Sequence, residues 1–228
     1  KRSASDFALW KFTPAGETRD MEWETPIDLI EAGEARMGFP GWHLECSAMA
    51  MSLLGETLDI HTGGIDHIPV HHTNEIAQSE AATGVRFSNY WLHNNHLKSD
   101  GTKISKSLSN GYTLDDLAAK GFSPADYRLF VIQSHYSNEG NFTFDNLQSA
   151  KNRLTNWRNV AALRHQTHDT LRDDDEKSTD ERSVSLYATS QAIVEALSDD
   201  LDTPAALTII DDAFNRLQTA KLSDIHQH

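Results

Sequence analysis

Apolar and polar residues change rhythm along this chain, and the rhythm divides it into segments. Thr57 to His61 alternates and is bounded by glycine, which predicts a strand. Asn89 to Leu97 predicts a second strand. Between them His71 to Thr83 has helical spacing and stops at Gly84. A strand, a helix and a strand in that order predict a parallel α/β sheet, whose ligands bind beyond the carboxyl ends of the strands. Ahead of these, Glu45 to Leu54 has strong helix formers and apolar residues at helical spacing and predicts a buried helix ending at Gly55, with Cys46 in its first turn. Gly63-Gly64 predicts a loop after the first strand.

The flanks are less regular. Ser5 to Phe12 is a short apolar run that fits either a helix or a strand, and Thr13 to Glu24 reads as a loop. Pro26 to Ala35 predicts a short helix with Thr25 as N-cap, and Gly38, Pro40 and Gly41 then break the chain. Lys98 to Asn110 is polar, carries three lysines and turns at Asp100-Gly101, as a mobile basic loop would. Thr113 to Ala119 is helical with Thr113 as N-cap, and a helix begins at Ser123-Pro124 and runs to about Ser134. Thr143 to about His165 predicts a long helix with Leu147, Leu154, Trp157, Ala161 and Leu163 inward. Residues 168–182 form a charge run with the composition of an exposed linker. Val184 to Leu197 and Pro204 to about Lys221 are amphipathic helices. The expected class is therefore α/β in the first half and all-helical in the second.

Composition narrows the picture little. The 228 residues are 38% hydrophobic and 24% charged, ordinary for a soluble domain. No apolar run approaches a membrane span, and the N-terminus lacks a signal-peptide core. A net charge of −14 weighs against a nucleic-acid partner, although local basic patches remain compatible with it. One cysteine excludes an internal disulfide, suits a reducing cytoplasm, and leaves Cys46 for a metal or for chemistry.

Three residues suggest that chemistry. His71 and Glu75 stand at i, i+4, on one face of a helix, and Cys46 supplies a third ligand type for Zn²⁺. A lone cysteine in an apolar helix is more often merely buried, and an i, i+4 His/Glu pair more often solvated. Lys103 to Ser107, K-I-S-K-S, is either an ordinary surface loop or a means of bringing positive charge to a polyphosphate.

Taken together, the motifs resemble cysteinyl-tRNA synthetase, a class I aminoacyl-tRNA synthetase. The resemblance rests on G-W-H-L-E-C-S at Gly41 to Ser47 and D-I-H-T-G-G-I-D at Asp59 to Asp66. It continues in H-H-T-N-E-I-A-Q-S-E-A at His71 to Ala81 and K-I-S-K-S at Lys103 to Ser107. D-F-A-L-W-K at Asp6 to Lys11, Asn141-Phe142, and Asp199 to Pro204 are also family-like. The order and spacing hold over nearly the whole chain.

The resemblance implies the C-terminal half of a class I Rossmann-like nucleotide-binding domain, followed by an α-helical domain. In this reading residues 1–97 complete the catalytic domain with its zinc site, 98–140 carry the lysine loop and a stem-contact region, and 141–228 are helical. The implied activity is ATP-dependent activation of cysteine to cysteinyl-adenylate, followed by transfer to tRNA(Cys). Cys46, His71 and Glu75 match the ligands of a zinc that takes the substrate thiolate. A site built on a group that serine lacks discriminates by about 10⁴ or more. Trp42, His61 and Asp66 match the amino-acid pocket, Trp42 as an apolar wall and Asp66 as acceptor for the ammonium. Plain packing remains an alternative for Trp42 and His61. Lys106 matches the ATP-contacting lysine, with Lys103 assisting and Mg²⁺ accompanying the ATP. The same resemblance implies a cytoplasmic monomer with no membrane association.

The departures set further expectations. The family's fourth zinc ligand, a cysteine, and its H-I-G-H motif belong upstream of Lys1, and an anticodon-binding domain belongs downstream. Thr73 stands for the family's Glu, and Val70 for its Phe or Pro. The chain is thus expected to be a fragment, inactive alone, with an exposed sheet edge and apolar face. Two alternatives remain: a paralogue joining cysteine to an amino sugar, and a non-catalytic synthetase-like module.

Overall fold

The computed structural model describes residues 3, 6–30, 36–162 and 181–219, with the backbone alone at residues 106, 181–186 and 217–219. It divides into two compact units, Lys1–Asn94 and Asn95–His228.

The first unit begins with a small antiparallel sheet of β1 (Trp10–Phe12), β2 (Trp23–Glu24) and β3 (Met37–Pro40), ordered β1-β3-β2. Of the two conformations open to the first apolar run, the chain takes the strand. The supposed loop after it includes β2, and the supposed break at Gly38 and Pro40 is the central strand. Gly38 makes this possible, because a Cβ there would press on the Trp10 indole. Thr25 does not cap a helix. It is buried and its hydroxyl accepts the Trp10 indole N–H at 3.0 Å, while Pro26 keeps an extended ψ of 135°. Pro26 leads into a single 3-10 turn, Ile27–Leu29, and the rest of that predicted helix lies outside the described residues.

Helix α1 (Trp42–Leu54), with Gly41 as N-cap, starts three residues earlier than the sequence suggested, so Cys46 falls in its second turn. Its only buried residue is Ser47, while Met49, Leu53 and Leu54 are exposed. Apolar residues encircle this helix, but only the face that meets α2 (Thr73–Thr83) is covered within the unit. There the Ser79 hydroxyl donates to Ser47 at 3.0 Å and the Gln78 amide donates to Ser47 at 2.6 Å. Small side chains at this crossing let the two helices approach closely.

The predicted parallel pair is present. Strand β4 (Leu58–Gly64) pairs with β5 (Ser88–Asn94), with Leu58 opposite Ser88 and Gly64 opposite Asn94. The strand is longer than expected because Gly63 and Gly64 belong to it rather than to a loop. Leu58 and Phe87 form its buried end. Farther along, Ile60 and Tyr90 stand opposite each other and are 62% and 72% exposed, an uncovered apolar face of the kind anticipated. After β4 the chain makes a 3-10 turn (Ile65–His67) and a π turn (Ile68–His72) before α2, which ends at the left-handed Gly84 with φ 76°.

The second unit holds another small sheet, so the latter part of the chain is not all-helical. The strand expected to run to Leu97 stops at Asn94. Strand β6 (Leu97–Ser99) forms a hairpin with β7 (Thr102–Lys103) and pairs in parallel with β8 (Gly140–Phe142). The hairpin turns through Asp100 and Gly101, both at positive φ (49° and 72°), as two-residue hairpin loops require. Part of the segment read as a mobile loop is therefore strand.

Helices α3 (Leu114–Ala119) and α4 (Pro124–Ile132) both open with reciprocal capping boxes, Thr113 with Asp116 and Ser123 with Asp126. The second helix stops two residues short of Ser134. Leu117, Phe142 and Leu147 form one buried cluster; Leu129, Ala150 and Leu207 form another. Helix α5 (Phe144–Ala162) supplies Leu147 and Ala150, with Leu154, Trp157 and Ala161 partly buried; Leu163 lies outside the described residues. It is tied to α7 (Thr203–Thr219) by Asp211, which takes two hydrogen bonds from Arg153 and one from the Trp157 indole. Helix α6 (Glu181–Ser198) precedes α7, and most of the predicted acidic linker lies outside the described residues. Among those residues no helix is long and apolar enough to cross a membrane.

Candidate metal centre

The carboxyl end of β4 and the start of α2 gather the rings of His43, His61, His67, His71, His72 and His93 around one carboxylate. Glu75, in the first turn of α2, is fully buried. Its Oε2 lies 2.8 Å from His61 Nε2, 3.6 Å from His71 Nε2 and 3.9 Å from His72 Nε2. Its Oε1 has no hydrogen-bond partner, one of three such buried side-chain atoms among the described residues. An unpaired buried carboxylate oxygen is costly unless a cation faces it.

The backbone explains how so many rings fit. The π turn over Ile68–His72 brings the adjacent residues His71 and His72 both to the interior, and both are buried. Such turns recur at functional sites. Gly63 leaves space for the rings: a Cβ there would stand 2.6 Å from His72 Cε1 and 2.7 Å from His67 Nδ1.

The structure brings Cys46, His71 and Glu75 together, with one ligand atom from each within 4.8 Å of the others. His71 Nδ1 is 2.8 Å from His43 Nδ1, which leaves Nε2 as the nitrogen facing Glu75. An outer partner of this kind fixes the tautomer of a ligating imidazole. Burial drives the His71 pKa down, opposed by Glu75. Burial and then the neighbouring rings hold His72 to about 4. Both imidazoles are thus neutral near pH 7. Burial, with Glu75 and Glu45, pushes the Cys46 thiol up, against a lowering hydrogen bond with Trp42. A dication at the triad reverses that balance, because coordination deprotonates a thiol outright. Sulfur, nitrogen and oxygen donors, with the orphaned Glu75 Oε1, fit Zn²⁺ in chemistry.

Trp42 is half-exposed and lies against this centre, its ring 4.4 Å from that of His71 and stacked on that of His43. Asp66 is exposed just beyond β4, its carboxylate folded over Gly64, with no contact to the triad. Lys103 and Lys106 belong to the second unit, at the end of β7 and the start of a 3-10 turn.

Several residues that sequence reading left uncommitted or passed over hold these groups in place. His93 Nε2 pairs with His72 Nδ1 at 2.8 Å. The β4/β5 register sets Gly63 opposite His93 and His61 opposite Trp91, so strand alternation was the available signal. In the lysine loop, Asn110 accepts from the Ser105 N–H at 2.9 Å and donates to the Lys103 carbonyl at 3.1 Å, closing the loop on itself.

The family model for the class I (C) tRNA synthetase catalytic domain matches residues 1–152. A cysteine–tRNA ligase of Protochlamydia amoebophila is 43% identical over 229 aligned residues, covering 100% of this chain and 44% of that protein. One from Chlamydia muridarum is 48% identical over 158 residues, 69% of this chain and 32% of that protein. The chain thus spans less than half the length of these curated relatives. Among solved structures, a leucyl-tRNA synthetase of Agrobacterium radiobacter K84, in a ternary complex with tRNA and LeuAMS, has a TM-score of 0.62. It is 15% identical, with 87% of this chain and 28% of that chain covered, a likeness of fold.

Proposed function

The chain belongs to the family of class I tRNA synthetase (C) catalytic domains, and from that premise we propose that it is part of a cysteine–tRNA ligase. The protein activates cysteine with ATP to cysteinyl-adenylate and passes the cysteinyl group to tRNA(Cys). The observation that carries this reading is the convergence of Cys46, His71 and Glu75, whose carboxylate keeps one buried oxygen without a hydrogen-bond partner.

Those three residues hold a zinc ion in this reading. When bound, the zinc supplies a Lewis acid with an affinity for thiolate sulfur that a hydroxyl analogue cannot satisfy. The remaining roles fall to the chain itself. Asp66 accepts hydrogen bonds from the substrate ammonium. Trp42 closes one side of the pocket over His71, and His61 holds Glu75 in place. Lys103 and Lys106 bring positive charge to the ATP phosphates, with Mg²⁺ as their companion. The cysteine carboxylate attacks the α-phosphorus, the P–O bond to the pyrophosphate breaks, and pyrophosphate departs. No protein base is needed, since the nucleophile is already ionised.

Elemental analysis of the full-length protein tests the metal assignment. One zinc per chain is expected, with zinc content lowered in Cys46→Ala and cysteine-dependent ATP–pyrophosphate exchange falling with it. Unchanged zinc and unchanged exchange in that variant would sink the assignment.

A further inference from the structure

We propose that His61, His72 and Glu75 form a second divalent-cation position, beside the Cys46–His71–Glu75 triad and alternative to it, with Glu75 common to both. One ligand atom from each of the three lies within 4.8 Å of the others. His61 Nε2 already touches Glu75 Oε2 at 2.8 Å, and His72 Nε2 faces the same oxygen at 3.9 Å.

The second position has its own outer support. His93 Nε2 holds His72 Nδ1 at 2.8 Å, so the orientation of His72 is set by β5 and not by the triad. The His93 ring in turn stands parallel to Trp91, 6.2 Å away with 3° between planes. The bare Cα of Gly63 leaves room for the His72 ring. Glu75 is the one residue common to both triads, and the His71 and His72 rings neighbour each other at 5.6 Å.

Charge makes the two positions exclusive. Cys46 as thiolate and Glu75 together supply two negative charges, enough for one dication in a buried place. The imidazole side supplies only the charge of the same Glu75. Two dications sharing one carboxylate would repel without compensation. The two donor sets also differ in chemistry. The sulfur set favours Zn²⁺, whereas two nitrogens and an oxygen accept Co²⁺, Ni²⁺ or Zn²⁺ with less preference. The cation therefore sits on the imidazole side when the Cys46 sulfur is removed or blocked, and on the sulfur side when the thiolate is free.

This position depends on the proposed zinc triad only through Glu75, and Co²⁺ alone as probe separates the two. The 228-residue chain is titrated with Co²⁺ and followed by absorbance, and its fold is checked by circular dichroism. The wild type is expected to bind one Co²⁺ tightly and to show a thiolate-to-cobalt charge-transfer band. Cys46→Ala is expected to lose that band yet still bind one Co²⁺, at least about 10–100-fold more weakly, the loss typical even of an outer-shell change. Adding His61→Gln or His72→Gln to Cys46→Ala is expected to remove that residual binding. Each variant is expected to keep the wild-type dichroism. A Cys46→Ala chain that binds no Co²⁺, residual binding indifferent to His61→Gln, or two tight Co²⁺ in the wild type would each overturn the proposal. A wild type without the thiolate band, beside a Cys46→Ala chain that binds, would sink the zinc triad and leave this position standing.

Discussion

Each unit of this chain buries an acid at the third position of a helix, and the two acids are treated oppositely. Asp126 in α4 is 4% exposed and its carboxylate accepts the Ser123 N–H at 2.7 Å, closing a capping box. Glu75 in α2 is fully buried, but its helix continues from a π turn, so no free backbone N–H at the helix start is left for it. Its surroundings are imidazoles, and Oε1 meets nothing. Asp126 serves the fold because a local backbone donor uses it. Glu75 has no such local backbone donor for its Oε1. The second unit places its stability in apolar clusters and caps, and the first leaves polar capacity open.

The largest test of that contrast is added zinc. At about a thousandfold excess over Kd, a ligand that binds only the folded state contributes about 4 kcal/mol. Thermal unfolding of the chain should show such a gain, reduced in Cys46→Ala. A gain that survives Cys46→Ala at full size would break the contrast. Next comes Leu147→Ala in the second unit. Leu147 is fully buried, so a loss of about 2–5 kcal/mol is expected in denaturant titration, with the cobalt spectrum unchanged. The acids themselves come third. Asp126→Met leaves a partly buried donor unpaired and should reduce stability by about 1–3 kcal/mol. Glu75→Met in the metal-free chain should cost less than Asp126→Met, since it removes a buried oxygen that has no hydrogen-bond partner, while abolishing the zinc-dependent gain. Equal losses in the two variants would erase the distinction.

The smallest effect is the acid dependence of the exposed cap on α3. The Thr113 N–H and hydroxyl both donate to Asp116 and hold its carboxyl below the usual range. The folded value lies below the unfolded one. The contribution is therefore present above the unfolded pKa and is lost as pH falls through the folded one. In Thr113→Val an NMR titration of Asp116 should return toward the ordinary aspartate value.

What the sequence made legible was what is decided locally or by simple alternation. Thr113 and Ser123 announced their helices because a hydroxyl reaches its own backbone. The parallel pair β4 and β5 was evident from two short runs with a helix between them. Thr25 misled because its hydroxyl serves Trp10, fifteen residues earlier, and no local rule reports that. Strands β6, β7 and β8 have only three, two and three residues, too few to show alternation, and exist by pairing with one another. For the site, His71 and Glu75 shared a face by spacing, and the resemblance joined Cys46 to them. The π turn that buries His72 beside His71 has no composition signal, so His72 and His93 stayed uncommitted.

The closed lysine loop also has a lifetime. Asn110, which clamps Lys103 and Ser105, is followed by Gly111, and asparagine before glycine is the pairing whose side-chain amide is most readily attacked by the next backbone nitrogen. Loss of that amide replaces a donor with a carboxylate facing the Lys103 carbonyl, so the clamp opens from the same residue that shut it. Stored protein should accumulate aspartate and isoaspartate at position 110, readable by peptide mapping, faster than at Asn95. The lysine loop is then expected to loosen with storage at its own clamp.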